Sequence, residues 1–191
     1  MGISNYEYLN KLTNAANDAK AMVEYLLDHG VKEEDVVSCF DCNSFQLFPA
    51  FEKFVALCRP GDFVIIYFAG HGCAFKNEQC LLARGLTLTE KNFLNGFKKQ
   101  SIKQSSLQVG TMLADLRLKG VKKHLVLLDC CREFRVKDLT RATGETLKES
   151  DKASFNIQLG EGTVIGYATS PGDRASDGFQ GKSGHGKTIH K

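Results

Sequence analysis

The sequence predicts a three-layer α/β domain, in which helices flank a mostly parallel central sheet. Strand-like and helix-like segments alternate along the chain, and no internal repeat interrupts them. The strands predicted at Asp62–Ala69 and His124–Asp129 are apolar runs with polar residues only at their ends. Such short, continuous apolar runs are typical of strands that are buried on both faces of a parallel sheet.

The first third of the chain is predicted to contain two helices separated by a short strand. Apolar residues recur at helical spacing on one face of each helix, and Gly30 provides a natural end to the first. In chain order, the predicted elements are a strand end at Met1–Ser4, a loop at Asn5–Asn10, a helix from Asn14 to about His29, a strand at Asp35–Phe40, a helix at Ser44–Cys58 and a turn at Arg59–Asp62.

The remainder of the chain alternates in the same way around the central strand. A helix is predicted at Ser105–Lys119, with Ser105 or Ser106 as its N-cap. Arg132–Gly162 is polar and has no sustained periodicity, so a mobile loop is expected there. The other predictions are a strand at Gln79–Ala83, a loop with one helical turn at Thr87–Lys103, a strand at Thr163–Thr169, a turn at Ser170–Asp173 and the start of a helix at His185–Lys191.

Length and composition narrow the possible functions. A chain of 191 residues is long enough for one domain with a hydrophobic core. The net charge of +3 is small and there is no basic stripe with interleaved aromatic residues, which argues against nucleic acid as a partner. No apolar run approaches the roughly 20 residues that a membrane span needs. The first strand is almost absent and the last predicted helix stops early, so we expect a domain truncated at both ends.

Seven cysteines indicate the redox environment that we expect for the protein. The number is odd and there is no secretory signal, so reduced thiols in the cytoplasm are a better interpretation than a disulfide scaffold. Cys39 and Cys42 have C-x-x-C spacing, but no second pair follows at the spacing of a zinc finger or ribbon. We therefore predict no metal site and no cofactor.

A histidine and a cysteine pair follow the two apolar strands. His71 lies between two glycines just after the first strand, and Cys130 and Cys131 follow the second. The carboxyl ends of parallel strands meet at one edge of a sheet, where α/β proteins place their ligands. A thiol and an imidazole at that edge form a candidate nucleophile and base. Adjacent residues at a strand end point to opposite sides, so only one of the two cysteines can face such a cleft.

Six short motifs occur in order along nearly the whole chain. They are Ile3–Tyr6, Asn17–Asp18, Gly61–Asp62, Tyr67–Gly72, Leu127–Arg132 and Gly166–Gly172. On these motifs the sequence resembles the caspase-like cysteine peptidases, and among them the paracaspases and metacaspases rather than the caspases proper. The residues after Cys131 favour the paracaspases. The resemblance implies a single caspase-like domain at 1–191, with a p20-like part at 1–132, a linker at 133–162 and the start of a p10-like part at 163–191.

The resemblance also implies how the cysteine and histidine would act. The family pattern Asp-x-Cys selects Cys131 as the nucleophile and makes Cys130 its buried neighbour. His71 matches the family's base. The backbone N–H groups of Gly72 and Cys131 would bind the oxyanion, and glycine at 72 would let a substrate approach closely. We assign no third residue to orient the histidine, because the family works with a Cys–His dyad.

Three acidic residues match the primary specificity pocket of the arginine-cleaving branch. They are Asp18, Asp129 and Asp177, with Asp173 as a competitor for the third place. Carboxylates around one small pocket repel one another unless a cation neutralises them. The forked guanidinium of arginine is the best such cation, and lysine is the next. The resemblance therefore implies cleavage after Arg or Lys, and not after Asp.

Each of these residues also has a simpler interpretation. His71 could be a turn residue between glycines, and Asp18 could be a favourable acid in the first turn of a helix. Asp129 could cap the segment that follows, and Asp177 could be an ordinary loop residue. Only their joint occurrence with Cys131 raises a catalytic site above these interpretations.

Three different functions are compatible with these sequence features. The first is a cysteine endopeptidase acting on peptides with a basic P1 residue, in intracellular signalling or regulated proteolysis. The second is a catalytically silent caspase-like module that serves as a scaffold or dimerisation partner. The third is a redox or metal-binding domain built on Cys130–Cys131 and Cys39/Cys42, which is disfavoured because the adjacent cysteines form strained disulfides and lack C-x-x-C geometry. The resemblance further implies a homodimer formed through a C-terminal strand that this chain lacks.

Overall fold

The computed structural model of the chain describes residues 1–75, 78–85, 104–130 and 160–168. Within these ranges the chain forms α-helices, a short 3₁₀-helix at Glu33–Asp35, and strands in two sheets. The helices are α1 (Ala15–Asp28), α2 (Ser44–Leu57) and α3 (Val109–Leu118), and the strands are β1 (Phe63–Ala69), β2 (Gly72–Phe75), β3 (Glu78–Leu82), β4 (Ser106–Gln108), β5 (Lys123–Asp129) and β6 (Thr163–Tyr167).

The main sheet has the order β1-β5-β6, and both of its strand pairs are parallel. Phe63 pairs with Lys123 and the register continues without a slip to Ala69 and Asp129. The carboxyl ends of β1 and β5 are therefore side by side, as predicted. Burial alternates along β5, with one face buried and the other half-buried, so the expectation of strands buried on both faces is wrong for the described residues.

A second, antiparallel sheet has the order β2-β3-β4. The strand predicted at Gln79–Ala83 is confirmed as β3, but β2 and β4 were not predicted. The helix predicted from Ser105 begins only at Val109, because residues 106–108 pair with β3 instead. Ser106 is buried in β4, so it is not the predicted N-cap.

The first two helices lie within a residue of their predicted positions. A capping box fixes the start of α2: the Asn43 side chain accepts a hydrogen bond from the Gln46 N–H, and the Gln46 side chain accepts one from the Asn43 N–H, both at 3.2 Å. The strand predicted at Asp35–Phe40 is wrong, because only Phe40 forms a bridge, with Gly2. Gly2 also bridges to Ala69, so the first residues do run as a strand end beside β1.

One cluster of buried apolar side chains joins the two sheets with α2 and α3. Helix α1 contacts β1, and α3 contacts β3 and β4. Cys39 and Cys42 form a disulfide, which corrects the prediction that the cysteines are reduced. The other described cysteines, at 58, 73, 80 and 130, are thiols. No helix in the described ranges is sufficiently long and apolar to cross a membrane.

Several predicted segments lie outside the described residues. They are Thr87–Lys103, Ser170–Asp173, His185–Lys191 and all but the last three residues of Arg132–Gly162.

Candidate active site

The candidate site lies where β1 and β5 end next to each other. Gly70 follows β1, and its N–H donates a hydrogen bond of 3.1 Å to the carbonyl oxygen of Asp129, the last residue of β5. His71 comes next in the chain and is half-buried. Cys130 follows β5 and is fully buried, as expected for the non-catalytic neighbour, whereas Cys131 lies outside the described residues. The backbone thus ties the segment that carries His71 to the strand end that leads to Cys131.

A backbone carbonyl group orients the imidazole of His71. The His71 Nε2 atom lies 2.7 Å from the carbonyl oxygen of Asn10. A carbonyl oxygen can only accept a hydrogen bond, so this contact requires the proton on Nε2. Nδ1 is then the ring nitrogen that can accept a proton. No third group was predicted beside the histidine, and the structure supplies one from the main chain.

The loop at residues 4–12, which carries Asn10, is anchored by Asp41. One carboxylate oxygen accepts hydrogen bonds from the N–H groups of Ser4 at 2.7 Å and Asn5 at 2.8 Å, and the other accepts one from Asn5 Nδ2 at 2.6 Å. Partial burial alone would raise the pKa of Asp41, but these hydrogen bonds and the charge of Arg84 lower it below its ordinary value. The Ser4 carbonyl oxygen accepts a further bond from the Leu12 N–H, which closes the loop.

Gly72 is buried, and its backbone N–H points away from β3. The Leu82 N–H donates to the His71 carbonyl oxygen at 3.0 Å, so His71 and Leu82 are a hydrogen-bonded pair of the β2–β3 ladder. The next pair, Gly72 and Leu81, is therefore of the non-hydrogen-bonded kind, in which the N–H points outward from the ladder. This direction suits the predicted role of Gly72 as an oxyanion donor. Its predicted partner in that role, Cys131, is not among the described residues.

Two of the three predicted pocket acids lie around Tyr67. Asp18 is exposed in the first turn of α1, and Asp129 is half-buried at the end of β5. Burial, followed by the negative charges of Asp129 and Asp18, raises the pKa of Tyr67 to about 12. Asp129 ends the strand beside β1, and Asp18 lies on α1, which contacts β1. Asp177 and its competitor Asp173 are outside the described residues.

Another concave region of the molecule includes Tyr67 but none of the predicted site residues. A cavity of about 810 Å³ is lined by α1, α2 and β1, with Met22, Leu26, Phe51 and Phe54 among its apolar side chains. Neither His71 nor the acids around Tyr67 line it. In the described ranges, no three or more histidine, cysteine and acidic residues gather in a way that could hold a metal ion.

The fold and the strand ends together define the class of protein. It is an α/β domain whose sequence places a histidine and a cysteine after two paired parallel strands. The sequence model of the family described as "Caspase domain" matches residues 1–189, and the chain belongs to that family. Its relatives include "Metacaspase III c" of Phaeodactylum tricornutum, with 28% identity over 142 residues, which is 67% of this chain and 39% of that protein. The chain thus spans well under half the length of the relative.

Family membership confirms the predicted resemblance to the caspase-like cysteine peptidases and the caspase-like α/β fold.

Proposed function

We propose that this chain contains the catalytic part of a cysteine endopeptidase that cleaves after Arg and, less well, after Lys. Cys131 is the nucleophile and His71 is the general base and acid. The observation that carries the proposal is the hydrogen bond from His71 Nε2 to the Asn10 carbonyl oxygen, because it directs the basic Nδ1 atom of the ring away from that bond. The link between Gly70 and Asp129, at the ends of β1 and β5, supports the pairing of His71 with the segment that follows β5.

The chemistry needs only these groups and water. His71 Nδ1 takes the proton of the Cys131 thiol, and the sulfur attacks the carbonyl carbon of the scissile peptide bond. The N–H groups of Gly72 and Cys131 stabilise the negative oxygen that forms. His71 then protonates the leaving amine as the C–N bond breaks, which leaves a thioester on Cys131. A water molecule, deprotonated by His71, hydrolyses the thioester and regenerates the thiol.

The preference for a basic residue rests on the two acids around Tyr67. Asp129 ends the strand beside β1 and Asp18 lies on α1, which contacts β1, so a cation bound at this edge of the sheet would be attracted by both carboxylates. Arginine can also form two parallel hydrogen bonds to a carboxylate, which lysine cannot. A P1 aspartate would meet like charge. That Asp177 completes this pocket stays a prediction.

Three further expectations also stay predictions. They are the cytoplasmic location, the closer relation to paracaspases, and dimerisation through a strand beyond β6.

The experiment that tests this proposal compares fluorogenic peptides that differ only in P1. Wild-type protein, Cys131→Ala and His71→Ala are assayed against P1 Arg, Lys and Asp, with Cys58→Ala as a matched control, since Cys58 is a half-buried thiol at the end of α2. We expect turnover in the order Arg, Lys, Asp. Loss of either catalytic group should lower kcat by at least about 10²–10⁴-fold, the usual range for one acid–base group, and Cys58→Ala should leave it unchanged.

Two results would count against the proposal in different ways. Best turnover of the P1 Asp peptide would overturn the assignment of the pocket. Folded wild-type protein without turnover of any peptide would favour the catalytically silent scaffold.

A further inference from the structure

We propose that Tyr6 is a positioning residue for His71, and that its hydroxyl group fixes the backbone from which the imidazole projects. The catalytic meaning of this inference rests on the function proposed above, whereas its structural part does not. Tyr6 is four residues before Asn10 in the same loop, so one short segment would hold both the backbone and the ring of the histidine.

The hydroxyl group of Tyr6 replaces a direct hydrogen bond at the end of the β2–β3 ladder. A hydrogen-bonded pair of antiparallel residues normally exchanges two N–H···O bonds. His71 and Leu82 make one of these directly, from the Leu82 N–H to the His71 carbonyl oxygen at 3.0 Å. The other is interrupted: the His71 N–H donates to the Tyr6 hydroxyl oxygen at 2.7 Å, and that hydroxyl donates to the Leu82 carbonyl oxygen at 3.2 Å.

The surroundings of the hydroxyl group leave it little freedom. Tyr6 is 2% exposed. A Cβ atom at Gly70 would lie 2.7 Å from the Tyr6 oxygen, so the absence of a side chain at Gly70 is what makes room for the hydroxyl group. Burial raises the pKa of Tyr6 well above its usual range, so the group stays protonated and can donate as well as accept.

The Tyr6 ring also packs against the imidazole. The two ring centroids are 4.5 Å apart and the planes are tilted by 53°. His71 is therefore held at three points by the loop at residues 4–12: its N–H by the Tyr6 hydroxyl, one side of its ring by the Tyr6 ring, and its Nε2 by the Asn10 carbonyl oxygen. Removing the hydroxyl alone should loosen the backbone and weaken the bond at Nε2, while the ring contact remains.

The test compares Tyr6→Phe with Thr163→Val. Thr163→Val is the matched control, because it also removes a hydroxyl group with two hydrogen-bond partners. These are Arg117 Nη2 and His124 Nδ1, both at 3.0 Å. It lies at the start of β6, the opposite end of the main sheet from His71. Each variant is measured for kcat and KM on a P1 Arg peptide and for thermal stability. The tautomer of His71 is read from ¹⁵N NMR of protein labelled in its five histidines, with His71→Ala for assignment.

We expect Tyr6→Phe to lower kcat about tenfold and to leave KM unchanged. A tenfold loss is the size of effect expected for one lost hydrogen bond. The NMR spectrum should show Nε2–H at His71 in the wild type and a mixture with Nδ1–H in Tyr6→Phe. Thr163→Val should change neither kcat nor the tautomer of His71. A wild-type tautomer at His71 in Tyr6→Phe, or an equal loss of kcat in Thr163→Val, would overturn the proposal.

Two complications are covered by the same design. If Tyr6→Phe does not fold, amide hydrogen exchange of the wild type keeps the proposal testable: the His71 N–H, which donates to the buried Tyr6 hydroxyl, should exchange about as slowly as the Leu82 N–H, and fast exchange at His71 would overturn the proposal. If the wild type has no peptidase activity but the tautomer shifts in Tyr6→Phe, the proposed function fails and the positioning role of Tyr6 stands.

Discussion

Replacing Asp41 with alanine should destabilise the loop that orients the catalytic histidine. The substitution removes the carboxylate that accepts three N–H···O hydrogen bonds of 2.6–2.8 Å, one donated by Ser4 and two donated by Asn5. Asp41 also has a φ of 51°, in the left-handed region that aspartate and asparagine tolerate better than alanine. Asp41→Asn is the matched control, because it keeps this tolerance and one acceptor oxygen.

The size of the effect follows from which bonds are shielded from water. A hydrogen bond to a charged group contributes roughly 1.5–3 kcal/mol, and the bond from the partly buried Ser4 N–H should be near that range. The two bonds from Asn5 are exposed and should add less. With about 1 kcal/mol for alanine at positive φ, we expect Asp41→Ala to lose about 3 kcal/mol. Asp41→Asn should lose about half of that.

The contribution of Asp41 to stability depends on pH with a definite sign. The pKa of Asp41 is lower in the folded protein than its ordinary value of about 4. A lowered pKa contributes stability that is fully present above the ordinary value and is lost as the pH falls through the folded value. The difference between wild type and Asp41→Asn should therefore be constant near neutral pH and should shrink below about pH 4.

The assay is urea unfolding of the three proteins at neutral pH and at about pH 3. A loss of about 3 kcal/mol corresponds to a fall in Tm of about 6–12 °C for a domain of this size, which a thermal melt can check. The reasoning would be refuted if Asp41→Ala were within about 0.5 kcal/mol of wild type at neutral pH, or if the deficit of Asp41→Asn were undiminished in acid.

Two more predictions concern the pocket acids and the disulfide. Asp129→Asn should lower kcat/KM for P1 Arg peptides by about 10- to 100-fold, the size of one lost charge-assisted hydrogen bond. Asp18→Asn should lower kcat/KM by a smaller factor, since Asp18 is more exposed. An equal loss of kcat/KM on a peptide with a neutral P1 residue would contradict this prediction. Thiol titration of protein denatured without reductant should find five thiols, because the Cys39–Cys42 disulfide pairs two of the seven cysteines; seven would contradict the disulfide.

The sequence was sufficient for the elements whose signal is local. The strands β1 and β5 are apolar runs, and α2 has an N-cap and a helical apolar face, so hydrophobic pattern placed each within about a residue. The short strands β2 and β4 were missed because a segment of three or four residues has too little periodicity to detect. Residues 106–108 lie between a polar stretch and α3, and the sequence there has no strand signal. Only their pairing with β3 makes them a strand.

The candidate site was predictable only as far as side chains define it. His71, Asp18 and Asp129 each occur in a motif that chemistry or family resemblance can identify. The group that orients His71 is the carbonyl oxygen of Asn10, and every residue has such an oxygen, so no sequence pattern could select it. Tyr6 was visible as part of a family motif, but its contacts with His71 and Leu82 depend on tertiary structure. The disulfide was missed because cysteine count and the absence of a signal argued for thiols.

The central claim is that His71 activates the thiol of Cys131 beside an acidic pocket. Labelling with a peptidyl chloromethyl ketone that ends in arginine, followed by mass spectrometry of the modified peptides, tests it most directly. We predict rapid modification of Cys131 alone in the wild type, because Cys130 is fully buried, and modification at least about tenfold slower in His71→Ala. Labelling of another cysteine, or equal rates in the two proteins, would contradict the account.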